Sequence, residues 1–400
     1  MHFIITSLSL LAAAAGAFAA LSTENAWDEC KAHLNGQLPY YVPPNFHFSG
    51  TVRRYYVAAE IVTWDYAPTG WDNWLGVPMN EGYTDATFEE RSEQPPWLGF
   101  QGPILRAEVG DMIEIMFVNK MEHFFSSMHS MGLFYTKESE GSVYYNGTSS
   151  VAIGDAVPPG GCFVLVQDNV GPSPGSDSQI WSYHPYVSMY QDQDAGGFGP
   201  VIIYNPGKME SVMAQNREFV LLYSDNQESN SFLALHNVRK YLPSMASQVA
   251  NLSDEYPEVT QGLGNRSVWY PQFINTPKTN VTSEMAASFF PLNGYIFANN
   301  PPFEMCVNDN VIWYLYNMGF DTHVFHLHGD NVLDPVTNAT TASVTINPGQ
   351  MITVLMTAVN PGWWQLICHF TTHLSKGMEA NYIVYGGPYG ECPLEPLQKP

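Results

Sequence analysis

A thiolate, two imidazoles and a thioether occur in the chain at a spacing that suits a mononuclear copper site. Cys368, His373 and Met378 follow one another at Cys-x4-His-x4-Met spacing. His323, on a separate strand-like segment upstream, supplies a second imidazole. Two His, one Cys and a distant Met are the ligands of a blue-copper electron-transfer site. The pattern therefore predicts a one-electron redox centre at these four residues; a buried thiol and an ordinary core methionine are the alternative.

The segment His323-Val-Phe-His-Leu-His328 carries further imidazoles. Successive side chains of a strand point to opposite faces, so His326 and His328 share one face and His323 lies on the other. The segment therefore predicts ligands for two different metal centres.

Composition limits the class of protein. The first 20 residues form an apolar run that ends in Ala17-Phe18-Ala19, which predicts a secretory signal peptide over residues 1–20 even though its start lacks Lys and Arg. No later stretch is apolar for about 18 residues, so no transmembrane helix is expected. The formal net charge of −23 argues against nucleic-acid and anionic-membrane binding. Five glycosylation sequons fit a secreted glycoprotein: Asn146, Asn251, Asn265, Asn280 and Asn338.

The five cysteines are an odd number for an oxidising compartment, so at least one is expected to stay unpaired. With Cys368 held as a metal thiolate, four cysteines remain. They allow three pairings, and their positions alone do not choose among them: Cys30, Cys162, Cys306 and Cys392.

Short strand-like runs separated by 32 Gly and 29 Pro predict an all-β fold of sandwiches. The chain also repeats itself, because residues 104–115 recur at 303–314 and residues 181–186 recur at 364–369. We expect two sandwiches of one design over residues 21–207 and 217–400, joined by a linker over 208–216. Pro185 stands at the repeat position of Cys368, so the blue site is predicted in the second domain only.

These motifs resemble the multicopper oxidase family, in its ceruloplasmin and hephaestin branch, over nearly the whole mature chain. The supporting strand and turn segments are 56–68, 102–111, 157–161 and 293–297. The resemblance implies two tandem cupredoxin-like Greek-key β-sandwich domains and copper as the cofactor. It also implies a disulfide between Cys306 and Cys392, which leaves Cys30 and Cys162 as the second pair.

In the resembled family, four His-x-His pairs hold a three-copper cluster that reduces dioxygen. The pairs in this chain read His129-Ser-Met131, His184-Pro-Tyr186, His326-Leu-His328 and Ile367-Cys-His369, so five of eight imidazoles remain. The family pattern assigns His129 and His326 to a type 2-like copper. It assigns His184, His328 and His369 to a residual type 3-like site, and it makes Cys368-His369 the electron path. We expect an altered centre of one or two coppers; relic histidines without metal are the alternative.

The leading hypothesis is a secreted copper oxidoreductase that oxidises a small, phenolic electron donor, with dioxygen as an acceptor, through a shallow pocket beside an exposed imidazole. Iron is a weaker donor, because Thr372 stands where a ferroxidase of that branch has a carboxylate, although Asp321 can compensate. The alternatives are a non-catalytic copper-binding or electron-transfer cupredoxin and a metal-free scaffold. A nitrite reductase ranks low, because its blue site belongs in the first domain.

The resemblance also predicts an assembly. Ceruloplasmin has a ring of six such domains, and this chain has two, so three copies placed head to tail would close an equivalent ring.

Overall fold

A computed structural model describes residues 23–39, 41–72, 77–78, 94–122, 124–142, 153–169, 171, 175–188, 190–249, 281–282, 286 and 288–398. The predicted signal peptide, His123 and four of the five sequons lie outside these ranges. The fifth, Asn338, is exposed at a turn. No helix in the described ranges is both long enough and apolar enough to cross a membrane.

Strands dominate the first part of the chain. They are β1 Val52–Ala59, β2 Trp71–Asp72, β3 Val77–Pro78, β4 Leu105–Glu108, β5 Met112–Asn119, β6 His129–Met131, β7 Leu133–Tyr135, β8 Cys162–Asn169, β9 Ser178–His184 and β10 Gly199–Tyr204. Two four-stranded sheets result, in the orders β1-β5-β8-β7 and β4-β10-β9-β6. Inward-facing aliphatic residues such as Ile115, Leu165 and Val201 form the core between them.

The second part repeats this arrangement. Its strands are β11 Arg217–Tyr223, β12 Asn226–Gln227, β13 Ser288–Phe289, β14 Phe303–Cys306, β15 Asn310–Asn317, β16 His323–Leu327, β17 Val332–Asp334, β18 Ala339–Thr341, β19 Ser343–Ile346, β20 Met351–Thr357, β21 Gly362–Cys368 and β22 Glu379–Tyr385. Two five-stranded sheets run in the orders β11-β15-β20-β17-β18 and β14-β22-β21-β16-β19. The predicted all-β fold of two cupredoxin-like sandwiches is confirmed.

The helices are short and lie outside the sheets. They are α1 Thr23–Ala32, α2 Tyr190–Asp194, α3 Met209–Gln215, α4 Ala234–Tyr241 and α5 Thr371–Leu374. Helix α3 occupies the segment predicted as a linker, which contains no glycine or proline between its ends to interrupt a helix. The domain boundaries themselves stay a prediction.

Both cysteine pairs are bonded. Cys30 is joined to Cys162 and Cys306 to Cys392, while Cys368 is free and buried. The first disulfide fastens α1 to β8, where Cys30 packs with Met116 and Val118.

A third apolar cluster joins the two sandwiches. Residues of β9 and β10, including Ile180 and Ile202, pack against Ile312 and Tyr316 of β15. The outer face of the sheet β4-β10-β9-β6 is therefore covered by the second domain.

A buried ion pair crosses the same interface. Arg106 Nη1 donates to Glu218 Oε2 at 2.7 Å, and Glu218 Oε1 accepts from Tyr204 and Tyr314 at 2.8 and 2.6 Å. Glu218 is only 7% exposed, so its loss removes the carboxylate that the Arg106 guanidinium and both phenols share at a largely buried position.

We expect Glu218→Ala to lower the free energy of unfolding by about 3–5 kcal/mol, the usual cost of breaking a buried pair. Denaturant titration measures it, with the exposed Glu210→Ala on α3 as the matched control, expected to change stability by less than about 0.5 kcal/mol. If both variants lowered the free energy of unfolding by the same amount, the ion pair would not stabilise the contact between the domains.

Candidate metal centre

The strand register brings the predicted thiolate and imidazoles together in the core of the second domain. Residue Phe325 of β16 pairs with Cys368 of β21, which places His323 two residues further along the same inner face. Helix α5 follows directly after β21 and carries His373 back over the strand end. His323 and Cys368 are fully buried, and His373 is 3% exposed.

Three ligand atoms converge at this point. His323 Nδ1 and His373 Nδ1 lie 3.8 and 3.7 Å from Cys368 Sγ, and the two nitrogens are 3.1 Å apart. A point equidistant from atoms with these three separations lies about 2.1 Å from each, within the 2.0–2.3 Å that is typical of first-row metal bonds to imidazole nitrogen and thiolate. The donor set therefore fits one metal ion without rearrangement.

Met378 lies in the same core as Cys368 and is fully buried. Its backbone N–H donates to His373 O at 3.1 Å, and its carbonyl accepts from Cys368 N at 3.0 Å. The loop from Cys368 to Met378 is thus closed on itself, which holds the thioether segment next to the other three residues.

Carboxylates orient both imidazoles from behind. Asp225 Oδ1 faces His323 Nε2 at 3.5 Å, and Asp321 Oδ2 faces His373 Nε2 at 3.4 Å. Such partners fix the ring so that Nδ1 points at the metal. Asp225 is buried and accepts from Asp321 N at 3.0 Å, and a Cβ at Gly319 would lie only 2.1 Å from its Oδ2, so this position requires glycine.

Aromatic rings cover the remaining sides. Tyr223 stacks on His323 with ring centroids 5.1 Å apart, while Phe290 and Phe370 each stack on His373 at 4.5 Å. The expectation of an exposed imidazole is therefore wrong: the ring of His373 is buried, and Phe370, at 47% exposed, forms the surface above it.

Protonation follows from these surroundings. Burial lowers the pKa of His323, but Asp225 and Cys368 outweigh burial and raise the pKa to about 9. Burial and the neighbouring His323 lower the pKa of His373. A metal ion at this site must displace the proton of His323, because a ligand nitrogen binds as neutral imidazole.

The remaining histidines form two groups, one in each domain. In the second domain, the rings of His328 and His369 each lie 5.3 Å from that of His326, on the outer face of the sheet, beside a depression of about 330 Å³. Burial and the neighbouring His326 and His369 lower the pKa of His328. Ile367, paired opposite His326, is 5% exposed.

In the first domain, His129 of β6 and His184 of β9 are directly opposed, with ring centroids 5.4 Å apart. Burial, with His129 adding to it, lowers the pKa of His184 to about 4, so its ring is neutral at physiological pH. Met131 points away to the domain interface, where its Cε is 3.6 Å from the position of a Cβ at Gly349.

These two groups do not meet within one chain. In the part of the chain that the structure describes, only His323, Cys368 and His373 form a group of three His, Cys or acidic ligands close enough to share a metal. Ring contacts among the other motif histidines stay inside each domain.

A multicopper oxidase family model matches residues 270–387. The chain contains a multicopper oxidase domain. That domain includes the three residues of the Cys-x4-His-x4-Met motif and their partner His323, together with the histidine group on its outer face.

Curated relatives extend the similarity to the first domain. The chain is 28% identical to "Ferroxidase HEPHL1" of Mus musculus over 382 residues, covering 86% of this chain and 30% of that protein. It is 31% identical to ceruloplasmin of Mus musculus over 310 residues, covering 76% of this chain and 26% of that protein. The chain spans about three tenths of the length of the curated relatives it matches.

Solved structures share the fold. A crystal structure of a multicopper oxidase matches with a TM-score of 0.52 and 16% identity, covering 85% of this chain and 92% of that one. A copper nitrite reductase from Nitrosomonas europaea matches with a TM-score of 0.52 and 15% identity, covering 84% of this chain and 94% of that one. The predicted resemblance to the multicopper oxidases is confirmed.

Sequence motifs indicated the ligands but not their supports. Asp225, Phe290 and Tyr223 lie far from the motif in the chain and belong to no recognisable spacing. His33, His47 and His236, outside the motifs, have no place in these groups.

Asp225 and Asp321 provide a matched test of the outer carboxylates. Asp225→Asn removes a buried negative charge near the metal, so we expect the reduction potential of the copper-loaded protein to rise by about 60 mV, equivalent to 1.4 kcal/mol for one electron. Asp321 is 52% exposed, and water screens its charge, so Asp321→Asn is expected to change the potential less. Spectroelectrochemical titration measures both; a larger shift for Asp321→Asn would contradict this assignment.

Proposed function

We propose that this protein is a secreted copper-dependent oxidoreductase that takes single electrons from a small donor. The observation that carries the proposal is the buried triangle formed by Cys368 Sγ and the Nδ1 atoms of His323 and His373. These residues, with Met378 as the axial ligand, would hold a type 1 copper. Copper bound there exchanges one electron between its cupric and cuprous states.

The chain's own residues prepare this site for repeated electron exchange. The apolar core excludes water from around Cys368. Val324 N–H points at the sulfur from 3.4 Å, which lowers the negative charge on a thiolate. Two stacked phenylalanines hold the ring of His373 in place, so little rearrangement is needed when the charge of the site changes.

Electrons would leave toward the outer face of the domain. Cys368 and His369 are joined by the backbone, and His369 N–H donates to Val324 O at 2.8 Å. The ring of His369 belongs to the exposed histidine group with His326 and His328. We assign Cys368 and His369 as the path between the core and an altered copper centre, with His129 and His326 as its type 2-like ligands and His184, His328 and His369 as residual type 3-like ligands.

A phenol is the donor class that we favour. Phe370, which is 47% exposed and stacked on His373, offers an aromatic surface on which a planar ring can pack. The half-exposed carboxylate of Asp321 lies beside the same imidazole and can accept a phenolic proton.

Ferrous ion is a second donor candidate. It is favoured by Asp321, whose Oδ2 lies 3.4 Å from His373 Nε2 and replaces the carboxylate missing at Thr372. Similarity to proteins named ferroxidases agrees with this candidate. A non-catalytic copper-binding or electron-transfer cupredoxin is the alternative function.

Copper counting with an oxygen electrode tests the proposal. The reconstituted protein is expected to be blue, to hold more than one copper and to consume dioxygen with a phenolic or ferrous donor. Cys368→Ser should lose the colour, about one copper per chain and the uptake. A blue protein without uptake supports the non-catalytic alternative, and a colourless one after copper loading contradicts the type 1 site.

Three copies in a head-to-tail ring would complete the altered centre. The repeat supplies a comparison, because Trp363 occupies the position in β21 that Ile180 occupies in β9. Ile180 is fully buried against the second domain, whereas Trp363 is 57% exposed. A neighbouring copy that covers Trp363 would bring its first-domain histidines toward His326 and His369.

We therefore expect a trimer in light scattering at micromolar concentration. Trp363→Glu should give monomers that keep the blue colour, because Trp363 points away from the core that contains Cys368. Met213→Glu, at a 42% exposed residue of helix α3, is the control for surface charge. A monomeric wild-type protein would contradict the ring.

A further inference from the structure

The first-domain histidine group contains a phenol at a position where the resembled family has an imidazole. The ring of Tyr186 lies 5.4 Å from that of His129 and 5.6 Å from that of His184. Each of the three rings therefore neighbours the other two. Met131, the other substituted position in this domain, points to the domain interface instead.

Both imidazoles are oriented as metal ligands. His129 Nδ1 donates to Glu140 O at 2.7 Å, and His184 Nδ1 donates to Pro185 O at 2.9 Å. A carbonyl only accepts, so this bonding fixes the tautomer and leaves the lone pair of each ring on Nε2. Second-shell bonds from one ring nitrogen to a backbone carbonyl are typical of histidines that bind a metal through the other.

The loop that carries Tyr186 is held rigidly. Tyr186 N–H donates to Ser127 Oγ at 2.9 Å, and the next two backbone N–H groups, of Val187 and Ser188, donate to Asp192 Oδ2 at 2.7 and 2.6 Å. Asp192 is 1% exposed, so these bonds are shielded from water. The backbone that carries Tyr186 is therefore held in place beside the two histidines.

The spacing of the rings suits one ion. The centroids of the two imidazole rings are 5.4 Å apart. A metal bonded to an imidazole nitrogen at about 2.0–2.1 Å lies roughly 3 Å from the ring centre, so one ion can bond both rings. The phenol oxygen projects beyond its own ring, so an ion bound to it lies further from the Tyr186 centroid, which suits the separations of 5.4 and 5.6 Å between that centroid and the imidazoles. A cavity of about 990 Å³ borders His184.

We propose that His129, His184 and Tyr186 form a cupric site with a phenolate ligand in the first domain. Imidazole nitrogen and a hard oxygen together suit Cu(II) better than Cu(I). Binding forms one Cu–O bond, breaks the O–H bond of Tyr186 and releases its proton to solvent, without any change of oxidation state. This site rests on the proposed function and deepens it: His129 and His184, which the family pattern assigns to different coppers of the altered centre, here share one ion.

The test uses the full-length Cys368→Ser protein, which lacks the blue site, titrated with cupric ion. We expect a visible phenolate-to-copper charge-transfer band, tyrosinate ring modes in resonance Raman spectra excited in that band, and release of one proton per bound ion. Tyr186→Phe in the same background should lose the band and the ring modes and weaken copper binding at this site about tenfold or more.

Tyr135→Phe is the matched control. Its ring lies 5.9 Å from that of His129 and edge-on to it, so removing its hydroxyl should leave the band unchanged. A spectrum with imidazole ligation only, or a band lost in Tyr135→Phe and kept in Tyr186→Phe, would overturn the proposal. The titration involves no electron donor or dioxygen, so absent oxidase turnover would contradict the proposed function and leave this site intact.

Discussion

The structure of the second domain depends on placing one sulfur and two imidazole nitrogens in an apolar core at mutual distances of 3.1–3.8 Å. Buried polar groups are costly unless they have partners, and water does not reach this triangle. Two Nδ1 atoms that face each other need a proton or a metal ion between them. The fold accepts this arrangement because Asp225 and Asp321 place a carboxylate oxygen 3.5 and 3.4 Å from the Nε2 on the far side of each ring, and because the ligand loop closes on its own backbone. A metal ion relieves the conflict in the centre.

The internal repeat shows how the same sandwich gives two different outcomes. Cys368 ends a strand inside the second core, while the corresponding Pro185 of the first domain has no side-chain donor, and its carbonyl instead orients His184. The outward-facing histidines persist in both domains, because that face does not pack into either sandwich core. The two repeats therefore differ inside the sandwich, where only the second domain has a thiol ligand. On the outer face, both repeats keep histidines and differ only in how many.

Sequence predicted those parts of the site that are local. Cys368 ends one strand, His373 lies in the short helix that follows and Met378 immediately precedes the next strand, so their spacing determines their approach. The alternation of faces along β16 correctly separated His323 from His326. Spacing did not predict Asp225 or Phe290, which reach the site from other segments, nor the burial of His373 beneath Phe370. The sequence predicted a linker where helix α3 lies, because Pro206 and Gly207 directly before it are typical of a loop. The helix-forming residues within the segment itself determine its structure.

The two faces of the ligand set suggest a direction for the electron. On one side, His373 lies under Phe370 and beside Asp321, which is the part of the site nearest to a donor in solution. On the other side, the backbone from Cys368 leads within one residue to His369 and the outer histidine group. With copper held by these residues, an electron taken up above His373 would have a covalent path from Cys368 to the opposite face. That face has no histidine group from the first domain against it within the described part of its own chain, so under the proposed function the acceptor half of the reaction would depend on what a neighbouring copy places there.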